Sequence, residues 1–328
     1  MIKLFSTLLF LLLLSSQVFS TTIKIATAYP EGTEALKTLR TLDQTLRQQT
    51  DGRIELKIYP AGVMGSDDAV RRKMQIGQLD ASLAQSSAWT DEFPILRVYG
   101  LPFLFDDAQQ VTQLRSQFDA DILDESGNDH FEILGIIDGG MAYAITREPV
   151  SSMKQLREQK LWLPSDPVLS FYARQFKLKT IDLSIAEVAP SLQTGAINGL
   201  IVPPAAAITL QWHNSLKYLT DIPAIYSFGV LVINQRTLAK LSPEDRQTMR
   251  TVTQAALQQL DSKMVKQNAQ AVSAFSHLGI EIIEPSANEI SQLKTSAQEV
   301  WIQAVAGQLI PERPFQQVMK LLTQLSSH

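Results

Sequence analysis

The sequence predicts an α/β protein of two lobes, with central mixed sheets and one long helix bridging both lobes. Three observations carry this. Strand and helix patterns alternate over most of the chain, the signature of sheets covered by helices. The 328 residues exceed the size at which one core usually suffices. A span of 36 residues, Pro243 to Leu278, contains no further Gly or Pro, and at 1.5 Å per residue it would reach about 54 Å, too long for one small domain.

The first residues form an address. Met1 to Lys3 is a basic head, Leu4 to Leu14 is almost wholly Leu and Phe, and Ser15 to Ser20 is small and polar. This is the three-part pattern of a secretory signal, with cleavage expected near Ser20. The apolar run, about eleven residues, is shorter than the ~20 that span a bilayer. The protein is therefore expected to be exported and periplasmic. Loss of Lys3 would move the formal charge from -4 to -5.

The elements follow in order. Ile23 to Ile25 alternates as a short strand. Leu36, Leu39, Leu42 and Leu46 place one apolar stripe on a helix. Ile54, Leu56 and Ile58 repeat at period two, a second strand. Asp67 and Asp68 suit a helix start, and Gly77 its stop. Leu79 to Leu83 reads as a third strand. Val111, Leu114, Phe118 and Ile122 mark a helix, and Phe131–Asp138 and Met141–Thr146 read as two strands separated by Gly139-Gly140. Short strands over 160–163, 180–183 and 199–202 then alternate with helices over 153–158, 168–176 and 186–194. Tyr226 to Ile233 is nearly continuous apolar sequence, as in a strand buried on both faces. Ser242-Pro243-Glu244-Asp245 combines an N-cap, a proline at the first helical position and acids in the first turn. The helix it opens could face a core with Met249, Val252, Ala256, Leu260, Met264, Val272 and Phe275; a break near Asn268 is the alternative. The expected organisation is a signal over 1–20, lobe I over 21–145 and lobe II over 146–233. Residues 234–328 carry the bridging helix and return to lobe I.

Composition excludes several functions. There is no cysteine, so disulfides, thiolate metal sites and Cys nucleophiles are out. His130, His213, His277 and His328 form no metal-ligand spacing. No phosphate-cradling glycine motif and no nucleophile elbow is present. A pI near 5.7 argues against nucleic acid. The acidic pairs Asp67-Asp68 and Asp106-Asp107 sit where helices start, where the macrodipole favours them. An exported two-lobed protein without a catalytic constellation, enzyme activity or cofactor reads most simply as a binding protein.

Several segments then resemble a known family. Lys57 to Asp67, reading KIYPAGVMGSD, resembles a conserved stretch of the substrate-binding proteins of TRAP transporters, the DctP-like family. So do Gly77-Gln78-Leu79-Asp80, Leu101-Pro102-Phe103-Leu104-Phe105, the Pro149 to Pro164 stretch, Glu187-Val188 with Leu192 to Ala196, and Lys217-Tyr218-Leu219. The resemblance implies a two-lobed periplasmic binding protein fold with a ligand cleft between lobes that close by hinge motion. It also implies delivery to the small and large subunits of an ion-gradient-driven permease. A monomer is the expectation.

The resemblance fails at the family's charged positions. Trp162 stands where relatives carry the arginine that pairs with a ligand carboxylate through a bidentate fork. Ala142 stands at a second such arginine, Ile201 and Val202 at a Glu and an Asn, and Gln85 and Ala88 at positions that can be Glu and Arg. A carboxylate in such a cleft would lack a partner. The expected ligand is therefore neutral or largely apolar, stacked on Trp162. Its other contacts would be Gln85, Ala142, Tyr143, Pro164, Ile185, Val202, Trp89 and Phe103, with hydroxyls from Ser86 and Ser87 and with Arg147 the nearest spare cation. Two other roles fit the same residues: a carrier of an apolar or lipid-like molecule, or a ligand sensor, each working without a TRAP permease.

Overall fold

The computed structural model describes residues 20–164 and 166–325; the signal read over Met1–Ser20 lies outside them apart from Ser20. Lobe I is built on β1 (Thr21–Thr27), β2 (Ile54–Tyr59) and β3 (Ala81–Gln85), all parallel, followed by two antiparallel strands, β9 (Ile225–Asn234) and β4 (Phe131–Thr146). Its order is β2-β1-β3-β9-β4. The leucine stripe of α1 (Glu34–Gln49) and the core face of the long helix cover one side of it. α2 (Asp67–Gln75) and α3 (Ala108–Glu125) pack on the other side with the aromatic residues of the 89–105 segment.

Lobe II is a second sheet that shares β4. There β4 pairs antiparallel with β7 (Gly199–Val202) and β8 (Tyr218–Thr220). β7 pairs in parallel with β5 (Lys160–Trp162), β5 with β6 (Lys179–Thr180), and β8 with β10 (Glu281–Ile283). Between these strands the chain forms α4 (Met153–Leu156), α5 (Pro167–Gln175), α6 (Ile185–Thr194) and α7 (Pro204–Thr209). α6 and α7 cover the sheet face that carries Trp162, while α5 lies on the other face and packs against lobe I. Thr90 of lobe I also donates to Asp166, the N-cap of α5, at 3.4 Å. The lobes are thus closed on one another.

The expected pair of strands over 131–146 is one strand of 16 residues. Its register against β9 shifts between Asp138 and Gly140. Such an irregularity bends a strand without ending it, and Gly140 supplies the left-handed backbone (φ +89°). Beyond it β4 pairs with β9 as far as Ala142 and with β7 from Tyr143 onward, so one strand serves both sheets. The chain returns along β9, whose residues Gly229–Ile233 pair with β3 in lobe I. Glycine on both crossing strands is a local cue, but only strand pairing shows to which sheet each half belongs.

After α8 (Gln235–Lys240), Ser242 caps α9 (Pro243–His277) by accepting from Asp245 N–H, and no break occurs at Asn268. Leu257 and Leu260 pack in the lobe I core and Phe275 in the lobe II core, so α9 bridges the lobes. α10 (Ala287–Ala306) and α11 (Glu312–Leu325) return to lobe I, where Trp301 donates its indole N–H to Pro102 O at 3.0 Å. No helix among the described residues is long and apolar enough to cross a membrane.

The crossing is fastened by a buried polar network. Arg115 on α3, 9% exposed, binds Asp119 at 2.8 Å and Asp261 of α9 at 2.8 Å. Asp261 accepts the backbone N–H of Asp138 at 2.6 Å, and Asp138 accepts from Asn268 Nδ2 at 2.6 Å. Tyr99 donates to Asp119 at 2.7 Å. Burial raises the carboxyls of Asp119 and Asp138 above the ordinary range despite these partners.

Two predictions follow from this crossing. A Cβ on Gly140 would fall 2.6 Å from Asn268 Cγ at a backbone angle side chains avoid, so Gly140→Ala should cost about 2–4 kcal/mol in urea unfolding. A carboxyl whose pKa is higher folded than unfolded loses stability as pH rises through the folded value. Relative to wild type, Asp138→Asn should therefore gain stability as pH is raised from about 4 to about 8. A flat difference across that window would contradict the assignment.

Candidate functional site

The C-terminal ends of parallel strands are where α/β proteins place ligand clefts. In lobe I the ends of β1 and β3 bring Tyr29 and Gln85 to the rim, with Asp67 at the first turn of α2 beside them. In lobe II the ends of β5 and β7 lead into Pro164 and Pro203, with Ile185 at the first position of α6. Tyr143 stands between the lobes, packing against both the lobe I core and the Trp162 cluster.

The lobe I wall is acidic. The Tyr29 hydroxyl is pushed up to about 12, first by burial and then by the charges of Asp67 and Asp138. Asp67 is raised by burial and by its neighbour Asp68. Among the described residues neither the Tyr29 hydroxyl nor the Asp67 carboxyl forms a hydrogen bond or ion pair. Gln85 accepts from Ser227 at 3.2 Å. Helix-start acids have a sufficient local explanation, and this hid Asp67 at the sequence level. The two acids differ in what covers them: Asp68 is exposed and pairs with Arg71 at 3.4 Å, whereas Asp67 is half-buried without a partner.

Several expected contacts lie elsewhere. Trp162 is 3% exposed, edge-on to Trp212 at 5.4 Å, and its indole N–H is bonded to Leu183 O at 2.9 Å. It fills the lobe II core and offers no open face for stacking, because strand alternation turns it toward α6 and α7. Val202 pairs with Tyr143 across β7 and β4 and is equally buried, on the same face. Ala142 is buried on the opposite face of the sheet, with Leu161 and Ile201. Trp89 is 1% exposed in the lobe I core, edge-on to Phe131 at 5.1 Å. Arg147 is no spare cation: it binds the backbone carbonyls of Ser215, at 3.1 Å, and Leu192. Gln85, Tyr143, Pro164 and Phe103 stay half-exposed and Ile185 is 51% exposed. Phe103 packs against the cores of both lobes in a left-handed conformation (φ +56°), with its N–H bonded to Ala224 O at 2.8 Å. Among the described residues no group of three or more His, Asp or Glu side chains is placed to hold a metal ion.

Known proteins share this architecture. The chain is 24% identical over 268 residues to the sialic acid-binding periplasmic protein SiaP of Vibrio cholerae, covering 81% of this chain and 84% of that one. It is 22% identical over 240 residues to the 2,3-diketo-L-gulonate-binding periplasmic protein YiaO of Escherichia coli, covering 73% of each. A TRAP periplasmic solute-binding protein from Citrobacter koseri, crystallised with D-glucuronate, superposes with a TM-score of 0.81 at 22% identity, covering 92% of this chain and 99% of that one. Residues 25–308 match the family described as bacterial extracellular solute-binding protein, family 7. The chain therefore belongs to that family, DctP, whose members are ligand receptors of TRAP transporters and not enzymes.

Proposed function

We propose that this protein is a periplasmic receptor that captures a small uncharged organic ligand and hands it to a TRAP-type permease. The observation that carries the reading is the charge of the cleft wall. Asp67 presents an unpaired carboxyl beside the Tyr29 hydroxyl. Neither lysine nor arginine stands among the six rim residues Tyr29, Asp67, Gln85, Tyr143, Pro164 and Ile185. A ligand carboxylate placed there would meet like charge in a desolvated site, which is unfavourable. Hydroxyl or amide donors would instead satisfy Asp67 and Gln85. Pro164, Ile185 and the ring of Tyr143 would cover an apolar body from lobe II.

The relatives bind acids: one is named for sialic acid, one for 2,3-diketo-L-gulonate, and one holds D-glucuronate. They support a ligand of that size. The family resemblance implies an arginine at the position of Trp162, and here that residue is built into the core.

The test is calorimetry with D-glucuronate, its uncharged methyl ester and small aromatic alcohols. We expect heat from at least one uncharged compound and none from glucuronate up to 1 mM, on the order of the weakest binding worth scoring. Micromolar glucuronate binding by the wild-type protein would refute the reading. For the same reason Asp67→Asn should retain the uncharged ligand, with affinity reduced roughly 5–10-fold, the value of one hydrogen bond to a charged acceptor. Trp162→Ala should destabilise by about 3–5 kcal/mol in denaturant titration, as a core truncation does.

A further inference from the structure

The sheet of lobe II ends in a basic edge. Its last strand is β6, which pairs with β5. The chain enters β5 from α4 and β6 from α5, and the two connectors run side by side, joined by Arg157 Nε donating to Phe176 O at 2.8 Å. The stretches 154–160 and 174–179 hold Lys154, Arg157, Lys160, Arg174, Lys177 and Lys179, all exposed, against a single carboxylate, Glu158. Among the described residues none of the six forms an ion pair. Surface cations elsewhere, such as Arg40, Arg47 and Lys263, stand beside carboxylates.

Some of these residues have a local reason. Lysine on an edge strand resists pairing with another chain, and cations suit the C-terminal ends of α4 and α5. Two features go beyond those reasons. Lys160 and Lys179 are register partners on parallel strands. Their side chains therefore leave the same face of strands about 5 Å apart, where like charges repel. Lys177 follows α5 in the left-handed conformation (φ +56°), which glycine would adopt without a Cβ penalty. Negative charge facing this edge would relieve the repulsion. The chain itself supplies little of it there, although its formal charge as a whole is -4.

We infer that this edge of lobe II docks on an anionic phospholipid surface. The two are complementary in charge, and a plane of lipid phosphates meets long flexible side chains without requiring a shaped site. Each lysine or arginine near such a surface raises affinity several-fold. The edge lies where β5 and β6 start, whereas the cleft lies beyond the other end of β5, at Pro164. A receptor resting on the membrane by this edge keeps its cleft on the far side, free to exchange ligand. That retention near the permease rests on the reading of the chain as a TRAP receptor; the lipid contact itself does not.

The experiment sediments the full exported chain with vesicles of phosphatidylglycerol and phosphatidylcholine in equal parts, and with phosphatidylcholine alone. It is run in about 0.1 M and about 1 M salt, between which the screening length falls from about 10 Å to about 3 Å. The wild-type protein should sediment with the anionic vesicles at the lower salt, and be lost from them at the higher salt and from neutral vesicles at both. Lys160→Gln, Lys177→Gln and Lys179→Gln combined should bind about 100-fold more weakly, roughly five-fold per lysine. Lys240→Gln, Lys266→Gln and Lys320→Gln combined remove the same charge from exposed positions on α8, α9 and α11 and should bind as wild type does. The lipid and salt arms need no variant, so the contact is tested even if a triple variant fails to fold. No sedimentation with anionic vesicles, equal sedimentation with neutral ones, or equal losses in the two folded triple variants would overturn the assignment. Capture only by permease held in neutral vesicles would also overturn it, giving the edge to a protein partner.

Discussion

The guanidinium of Arg115 is the charge on which the meeting of the lobes depends. It sits where α3, α9 and the crossing strands β4 and β9 converge, and it binds the carboxylates of Asp119 and Asp261 and the Tyr226 hydroxyl. Asp261 in turn holds the Asp138 backbone, and Asn268 holds its side chain. Every link is polar and mostly covered, so each member left alone would be costly. Burial keeps Asp119 and Asp138 raised, with the charge of Asp261 adding to it. Such a network is a poor source of net stability and a good device for fixing one geometry. Here it fixes the long helix against the bend in β4.

From that bend the cleft inherits its chemistry. Asp138 contributes charge toward Tyr29 from the hinge side, and Asp67 contributes it from the first turn of α2. The lobe I wall is therefore an acceptor surface. The lobe II wall is aliphatic and aromatic, and Trp162 and Ala142 lie on opposite faces of its sheet: Trp162 turns toward α6 and α7, while Ala142 packs with Leu161 and Ile201.

Much of the fold is legible in the sequence. The leucine stripe of α1 is buried at every expected position, and the cap at Ser242 opens the helix where the residues say it should. These signals are local: a period of 3.6, a period of two, a cap and its first turn. The site was less legible. Trp89 and Trp162 read as aromatic surfaces, yet both are interior, because an indole near a strand end fits a core as well as a cleft. Asp67 read as a helix-start acid, and it is one. Only the tertiary packing around it makes it a half-buried carboxyl without a partner as well.

What the sequence determined by itself was the order and type of most elements and the family. Those properties depend on residues within a few turns of one another or on a motif in register. What only the tertiary structure decided was which face each anchor position occupies, where the lobes cross, and which polar groups are left without a partner. Those depend on which strands pair and which helices cover them, and such contacts join residues more than a hundred positions apart, as Arg115 and Asp261 are.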